Sequence, residues 1–453
     1  MPIWSARNAS GWFLLVCFIL SCVMEQTAFA QSPPILPIDD ALALAMKGNR
    51  QVQAAGVGID KARQDSAALG ATRLPQFQLY MLGGETLRPI RFTIPEGALG
   101  VYPSTGPIPG KDASITTPQQ FTGLVLAQAA QPLSQLWKIH LAMLASRLAE
   151  NLAEESLRAQ RQETAQAVRD AYYQIAQIQA QIESGEANEK YLADLQIETD
   201  RNLAEQNALK ADSLAVRAKL SQQRYQLLTL RDTLETQKES LNHLLGRDLE
   251  TPFTVEVQPL PKTVEIDINA ARQEALAQRT ELREARLQSR KAENDVRRQR
   301  AEYIPDLSAH VTYFSMPNVS FAPQNIVQAG FLLQWQPFDW GQKRHKTESL
   351  RDAAKQTVLT EQDAQQQVVL DVNAKFRALA ESRAMLDTAA LSQEAEREKL
   401  RVMTNRYQQK AALLSDVLQQ EGAVAQADSD YQKSLASFWR AKAGFDRALG
   451  REN

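Results

Sequence analysis

The sequence predicts a mainly helical fold with a membrane β-barrel part, built as a duplicated helix–strand–strand–long helical hairpin. Three observations predict it. Two long stretches, 133–245 and 338–449, contain no proline and are rich in Ala, Gln, Leu, Glu, Arg and Lys, the strongest helix formers. Four segments of about ten residues alternate apolar with polar side chains. The whole pattern then recurs, its long-helix positions displaced by 204 residues and its first helix by 230.

The N-terminal leader comes first. Arg7 precedes an apolar run from Trp12 to Met24, shorter than the ~20 residues a membrane helix needs. Ala28-Phe29-Ala30 then offers a small-x-small cleavage site, so residues 1–30 are expected to be an export signal peptide. Lipoprotein processing at Cys22 is the competing reading. Cys17 and Cys22 both lie in this leader, which leaves the mature chain without disulfides, thiol nucleophiles or Cys-ligated metals. No later run is long and apolar enough for a membrane helix, but an exported chain can still cross a membrane as a closed β-barrel.

The first repeat spans 31–250. Ile38 to Arg73 reads as its opening helix, with Asp39 and Asp40 in the first turn where negative charge suits the helix dipole. Its counterpart is Ile268 to Tyr303, and Pro75 and Pro305 follow the two at the same offset. Past Pro75 the period drops to two, Phe77, Leu79 and Met81 alternating with Gln76, Gln78 and Tyr80, for a strand at about 74–84. Arg88 to Pro118 is dense in Pro and Gly and reads as a long loop. A second strand is expected at about 119–130. In the second repeat, 268–453, strands are expected at about 304–316 and 326–336, with Leu307, Ala309, Val311 and Tyr313 on one face of the first. Residues 251–267, with three prolines and the alternating pair Val255 and Val257, read as an irregular connecting belt or a short strand, not a flexible linker.

Gln131-Pro132 and Gln336-Pro337 close the strands and open the helical hairpins, 133–246 and 338–450. A helix-poor patch at Asn202–Ser213 divides the first into a helix of about 70 residues and a return arm of about 35, and ~70 residues would extend ~105 Å. Val168, Ile175 and Ile182 on the outgoing arm, and Leu220, Leu227, Leu234 and Leu241 on the return arm, repeat every seven residues, as left-handed supercoiling requires. Val372, Leu379 and Leu386, then Val424, Tyr431, Phe438 and Phe445, are their equivalents. Ten-residue strands suit a tilted barrel wall, yet four strands cannot close one, so several subunits have to share it. The alternative from periodicity alone is two exposed hairpins in a soluble α+β domain.

This order of elements, duplicated after an export leader, resembles the TolC-like outer-membrane efflux proteins across essentially the whole mature chain. The resemblance implies a homotrimer, with a twelve-stranded barrel in outer-membrane lipid and a periplasmic α-helical tube. It implies an exit duct that takes small molecules from a periplasmic adaptor and an inner-membrane pump. A duct for type I protein secretion is the alternative from the same fold, and a soluble periplasmic coiled-coil scaffold the alternative from another class. The family's hairpin tips carry a Gly followed six residues later by Asp. Here Asp416 and Asp212 keep the aspartate, while Lys410 and Gln206 stand at the glycine place. By resemblance Asp416 lines the pore constriction, and Tyr407 bonds Asp212 to hold the gate shut. The second charged ring falls at Gln419 and the gate arginine at Ala412, both departures from the pattern. The adaptor is expected to dock on Leu209, Lys210, Ser213, Leu214, Leu413, Leu414, Ser415 and Leu418. On its own residues Asp416 also reads as a cap of the return helix, and Tyr407 as a packing aromatic.

No catalytic motif is present. His140, His243, His310 and His345 are scattered singly, and no Gly-rich phosphate loop or HExxH occurs. The expectation is no enzyme, no cofactor and no metal. A net charge of −2 gives no reason to expect a polyanion. The basic run Arg279 to Arg300 is interleaved with Glu281, Glu284, Glu293 and Asp295, which suits a solvated helix face and not nucleic acid.

Overall fold

The heptad-bearing stretches form the longest elements of the protein, because their good helix formers carry an apolar seam that packs continuously. The computed structural model describes residues 33–85, 87–89, 91–116, 120–206, 209–256, 266–317 and 324–451. The leader with its cleavage site and both cysteines lies outside them, as does Val257. In order the chain forms β1 (Ile35–Leu36), α1 (Ile38–Gly48), α2 (Arg50–Ala71), β2 (Gln76–Glu85), β3 (Arg91–Ile94), β4 (Val101–Tyr102), β5 (Gly106–Pro107), β6 (Ala113–Thr116) and β7 (Phe121–Pro132). The hairpin helices α3 (Gln135–Ala204) and α4 (Lys210–Leu245) and the short β8 (Thr254–Val255) complete the first repeat and the belt. The second copy is α5 (Ile268–Gln278), α6 (Thr280–Ala301), β9 (Asp306–Ser315), β10 (Asn325–Gln334), α7 (Gln342–Gln408) and α8 (Leu414–Ala448). Among the described residues, no helix is long and apolar enough to cross a membrane.

Two compact units result. One holds the described residues of Met1–Gln53, Gln160–Ala277 and Leu370–Asn453. Its principal core gathers Leu36, Ile38, Ala41, Ala45, Val168, Tyr172, Ile175, Leu241, Leu245 and Phe253. Three of the predicted heptad positions, Val168, Ile175 and Leu241, are fully buried here, and each aliphatic side chain so buried contributes about 1.5–3 kcal/mol. β1 and β8 pair in parallel, and Tyr172 locks them, its hydroxyl donating to Leu36 O at 3.0 Å and accepting from Glu256 N at 3.1 Å.

The expected single helices Ile38–Arg73 and Ile268–Tyr303 are each two helices. The first breaks at Asn49 and the second at Arg279, 230 residues on, both with extended ψ. Asn49 leaves the helix because its side chain has two other tasks. Its Oδ1 accepts from Gln51 N and Val52 N, capping α2, while its Nδ2 donates to Leu244 O at 2.9 Å. The neighbouring backbones nearly touch: a Cβ on Gly48 would lie 2.2 Å from Leu245 O.

The other unit, Ala54–Ala159 with Gln278–Val369, contains an antiparallel sheet in the order β10-β9-β7-β2. The stretch 88–118, expected as loop, is partly ordered: β3 pairs with β6 and β4 with β5. Its prolines and glycines sit at the turns and around these short ladders, extending the β2–β7 hairpin beyond the sheet. At the opposite end Lys138 Nζ holds Asp306 at 2.8 Å and Glu302 at 3.3 Å. Ser134 is threaded between Pro305 O and Leu307 N at 2.6 and 2.7 Å, fixing the strand-to-helix junction.

Candidate functional sites: the sheet faces and the hairpin tips

Side chains alternate across a strand, and residues directly opposite in an antiparallel ladder share a face. The registers therefore sort the sheet into two surfaces. One carries Phe77, Leu79 and Met81, Val125, Ala127 and Ala129, Leu307, Ala309, Val311 and Tyr313, and Val327, Ala329, Phe331 and Leu333. Every one is apolar or aromatic. Polar residues appear only at its margins, Glu85, Ser315 and Asn325 at one end and Gln131 at the other. Phe77, Met81, Val327 and Phe331 are 73–79 % exposed, so among the described residues nothing covers these side chains. Ten residues at ~3.3 Å each, tilted by ~40°, give an apolar band ~25 Å tall, the height of a barrel wall in lipid.

Aromatic side chains flank the band. Tyr313 sits at the margin with its hydroxyl donating to Asn325 Oδ1 at 2.8 Å. Beyond the other margin Trp335, Phe338, Trp340 and Trp137 are 55–88 % exposed, the arrangement of a membrane-interface girdle. Sequence reasoning overlooks Trp137, Phe338 and Trp340 as functional, although Trp335-Gln-Pro-Phe338-Asp-Trp340 packs three large aromatics into six residues beside a strand end.

The tips of the two hairpins are near copies. Both outgoing helices end in a left-handed residue, Gln206 and Lys410, each with φ 60. These are the glycine places of the sequence pattern, and the geometry gives its physical reason: positive φ favours glycine. Lys410 N donates to Tyr407 O and Ala411 N to Arg406 O, both at 2.8 Å, closing a Schellman-type turn. Each return helix then starts with Leu209 or Leu413 as N-cap. Leucine has no oxygen to offer, so only half of a capping box forms: Asp212 Oδ2 accepts from Leu209 N, and Asp416 Oδ2 from Leu413 N, both at 3.2 Å.

Tyr407 and Asp212 are the pair expected to bond at the gate. Among the described residues no hydrogen bond joins them, and Tyr407 packs instead against the cluster of Leu192, Leu195, Val216, Leu220, Leu414 and Leu418. Burial holds its phenol above the usual range, aided by the charges of Glu198 and Asp212. The eight expected docking positions divide. Leu209, Lys210, Leu214, Leu413 and Ser415 are exposed. Leu414 and Leu418 belong to the tip core, and Ser213 is buried with its hydroxyl donating to Asp200 Oδ1 at 2.6 Å. That bond holds the Asp200 carboxyl below its ordinary range. Helical period explains the correction: 414, 417, 418 and 421 share one face of α8, and that face is covered. Glu421, which sequence reasoning passes over, is 6 % exposed beside this cluster. Burial pushes its carboxyl up, against the opposing pull of Lys219 and Asn188.

Among the described residues no group of His, Cys, Asp and Glu is placed to hold a metal ion.

Residues 271–451, within the second repeat, match the family described as outer membrane efflux protein. No protein of curated function matches the sequence. In fold the chain is similar to the CmeC outer membrane channel of Campylobacter jejuni, with TM-score 0.76, 15 % identity and coverage of 91 % of this chain and 85 % of that one. It is similar to the outer membrane protein VceC of Vibrio cholerae at TM-score 0.71 and 16 % identity, covering 91 % and 96 %. It is similar to the open MtrE outer membrane channel of Neisseria gonorrhoeae at TM-score 0.68 and 14 % identity, covering 91 % and 88 %.

Proposed function

We propose, for a chain that resembles the TolC-like outer-membrane efflux proteins in sequence over residues 271–451 and in fold over 91 % of its length, that three copies assemble into the outer-membrane exit duct of a tripartite efflux system. Each subunit contributes four strands to a twelve-stranded barrel in the outer membrane and its helical hairpins to a periplasmic conduit. The protein performs no chemistry. A periplasmic adaptor and an inner-membrane pump supply selection and energy, and small molecules leave passively through the lumen.

The sheet carries this reading. It has one face that is apolar between polar margins and, among the described residues, two unpaired edges, β2 and β10, each ten residues long. An open edge is not tolerated in lipid, where every backbone N–H and C=O has to be satisfied within the protein. β2 runs antiparallel to β10 by the ladder order. A ring of copies placed head to tail therefore joins β2 of one to β10 of the next and stays antiparallel throughout. The apolar face then meets lipid, and the polar face lines water.

At the tips, Leu209, Lys210, Leu214, Leu413 and Ser415 form the adaptor's docking surface. Asp416 lines the constriction, and its Oδ2 also accepts the helix-cap bond from Leu413 N. Reconstitution into planar bilayers tests the duct. Stepwise ion-conducting channels are expected, and purified protein that never conducts would overturn it.

A further inference from the structure

The face that the duct reading turns toward water is not uniformly polar, and its rows are set by the register. One row runs Gln78–Gln128–Thr312–Gln328 across the four strands. The next row runs Tyr80–Leu126–Phe314–Ile326. The Tyr80 hydroxyl donates to Gln78 Oε1 at 3.0 Å, turning the phenol's polar end into the amide row. Leu82 and Leu124, paired one level further on, continue the apolar side. No Lys, Arg or Glu lies on this face, and its one aspartate, Asp306 at the helix end, is held by Lys138.

An apolar row on the face assigned to water has a cost. Tyr80 is 54 % and Ile326 40 % exposed, and large exposed apolar patches mark interaction surfaces more often than they mark neutral wall. A wall built only to pass hydrated ions would carry polar or charged rings here.

We propose that Tyr80, Leu126, Phe314 and Ile326 form a collar inside the barrel that retains amphipathic organic cargo, its apolar part on the collar and its polar part on the amide ring of Gln78, Gln128, Thr312 and Gln328. The inference rests on the duct reading and adds a substrate class to it: organic amphiphiles, neutral or singly charged, not hydrated metal ions. The amide row supplies donors and acceptors without a fixed charge, so a head group is held by hydrogen bonds and released readily. The collar supplies a transfer free energy that grows with the cargo's apolar area. Three copies repeat both rows around the lumen, giving a ring that every departing molecule passes.

Current block in planar bilayers tests it, with alkyltrimethylammonium ions of two to eight carbons added on the barrel side. In the wild-type channel block is expected to tighten with each methylene, by up to about fourfold where the methylene is fully buried. In a Leu126→Gln/Phe314→Gln/Ile326→Gln channel the chain-length dependence should vanish while potassium conductance persists. Tyr80→Phe, which keeps the ring, should retain the dependence. Equal dependence in wild type and triple variant, or none in wild type, overturns the collar and leaves the duct standing. A wild-type protein that conducts nothing overturns the duct, and the collar with it.

Discussion

Among the described residues four helices end in a left-handed turn, two of them with glycine and two without. Where α4 and α8 finish, the left-handed residue is Gly246 (φ 71) or Gly450 (φ 81). At the hairpin tips, where α3 and α7 finish, it is Gln206 or Lys410. The hydrogen bonding is alike: Arg247 N reaches Asn242 O at 3.2 Å, and Ala411 N reaches Arg406 O at 2.8 Å. The difference is what lies outside the turn. A Cβ on Gly246 would stand 1.9 Å from Gly48 O, so both backbone conformation and packing demand glycine there. Gln206 and Lys410 are exposed, and a side chain at the tips costs only the left-handed strain, ~1–2 kcal/mol. One region is fixed by its neighbours; the other is free to present side chains to a partner.

The strongest way to break this contrast is Gly246→Ala. With no room for a methyl group, it should destabilise the protein by ~3 kcal/mol or more, read as loss of folded yield or a large fall in Tm. An unchanged melt would mean that α1 and α4 separate readily. Asp212→Ala and Asp416→Ala come next. Each removes an N-terminal cap bond and a favourable dipole contact, and each should cost ~1 kcal/mol, seen as faster hydrogen exchange in the first turn of α4 or α8. Lys410→Gly and Gln206→Gly should act in the opposite direction, raising stability by ~1 kcal/mol; a fall would show that the left-handed turn is not strained.

Asp416→Asn sharpens a different point, because it keeps an acceptor for Leu413 N while removing the charge. Cation preference in bilayers should weaken severalfold with the melt unchanged, since a ring of three carboxylates focuses negative potential in a narrow pore. Unchanged selectivity would take Asp416 out of the constriction.

The smallest effect is expected at Glu421. Its folded carboxyl titrates above the usual range because it is buried. The folded state therefore holds the proton more tightly than the unfolded chain does. Its contribution is fully favourable below the ordinary carboxylate pKa and is lost as pH rises through the raised one. Tip stability should decline over that interval, and Glu421→Gln should flatten the decline and melt slightly higher at neutral pH. A variant with the wild-type pH profile would show that the carboxyl titrates normally.

Much of the fold is legible in the sequence because its cause is local or periodic. Heptads at Leu220, Leu227 and Leu241 announce a seam, and all three are buried. Alternation from Phe77 to Met81 announces a two-faced strand, and the registers place the two faces as that alternation requires. The breaks at Asn49 and Arg279 are not legible. Asn49 leaves the helix to bond Leu244, 195 residues away, and helix propensity carries no trace of such a partner. At the tips the aspartates are readable from spacing, but their cap bonds depend on a leucine N-cap that no capping rule favours. The burial of Leu414 and Leu418 was within reach, since with Val417 and Glu421 they follow helical period on one face. The burial of Glu421 was not, because it depends on α3 and α4 covering that face.

All of this rests on short β segments being pooled between subunits. Native mass spectrometry of protein released from a mild detergent tests that most directly. The expected species has three times the mass of the processed chain, and it should persist at detergent concentrations that strip bound lipid. A single-chain species throughout, with β2 and β10 left unpaired, would contradict it.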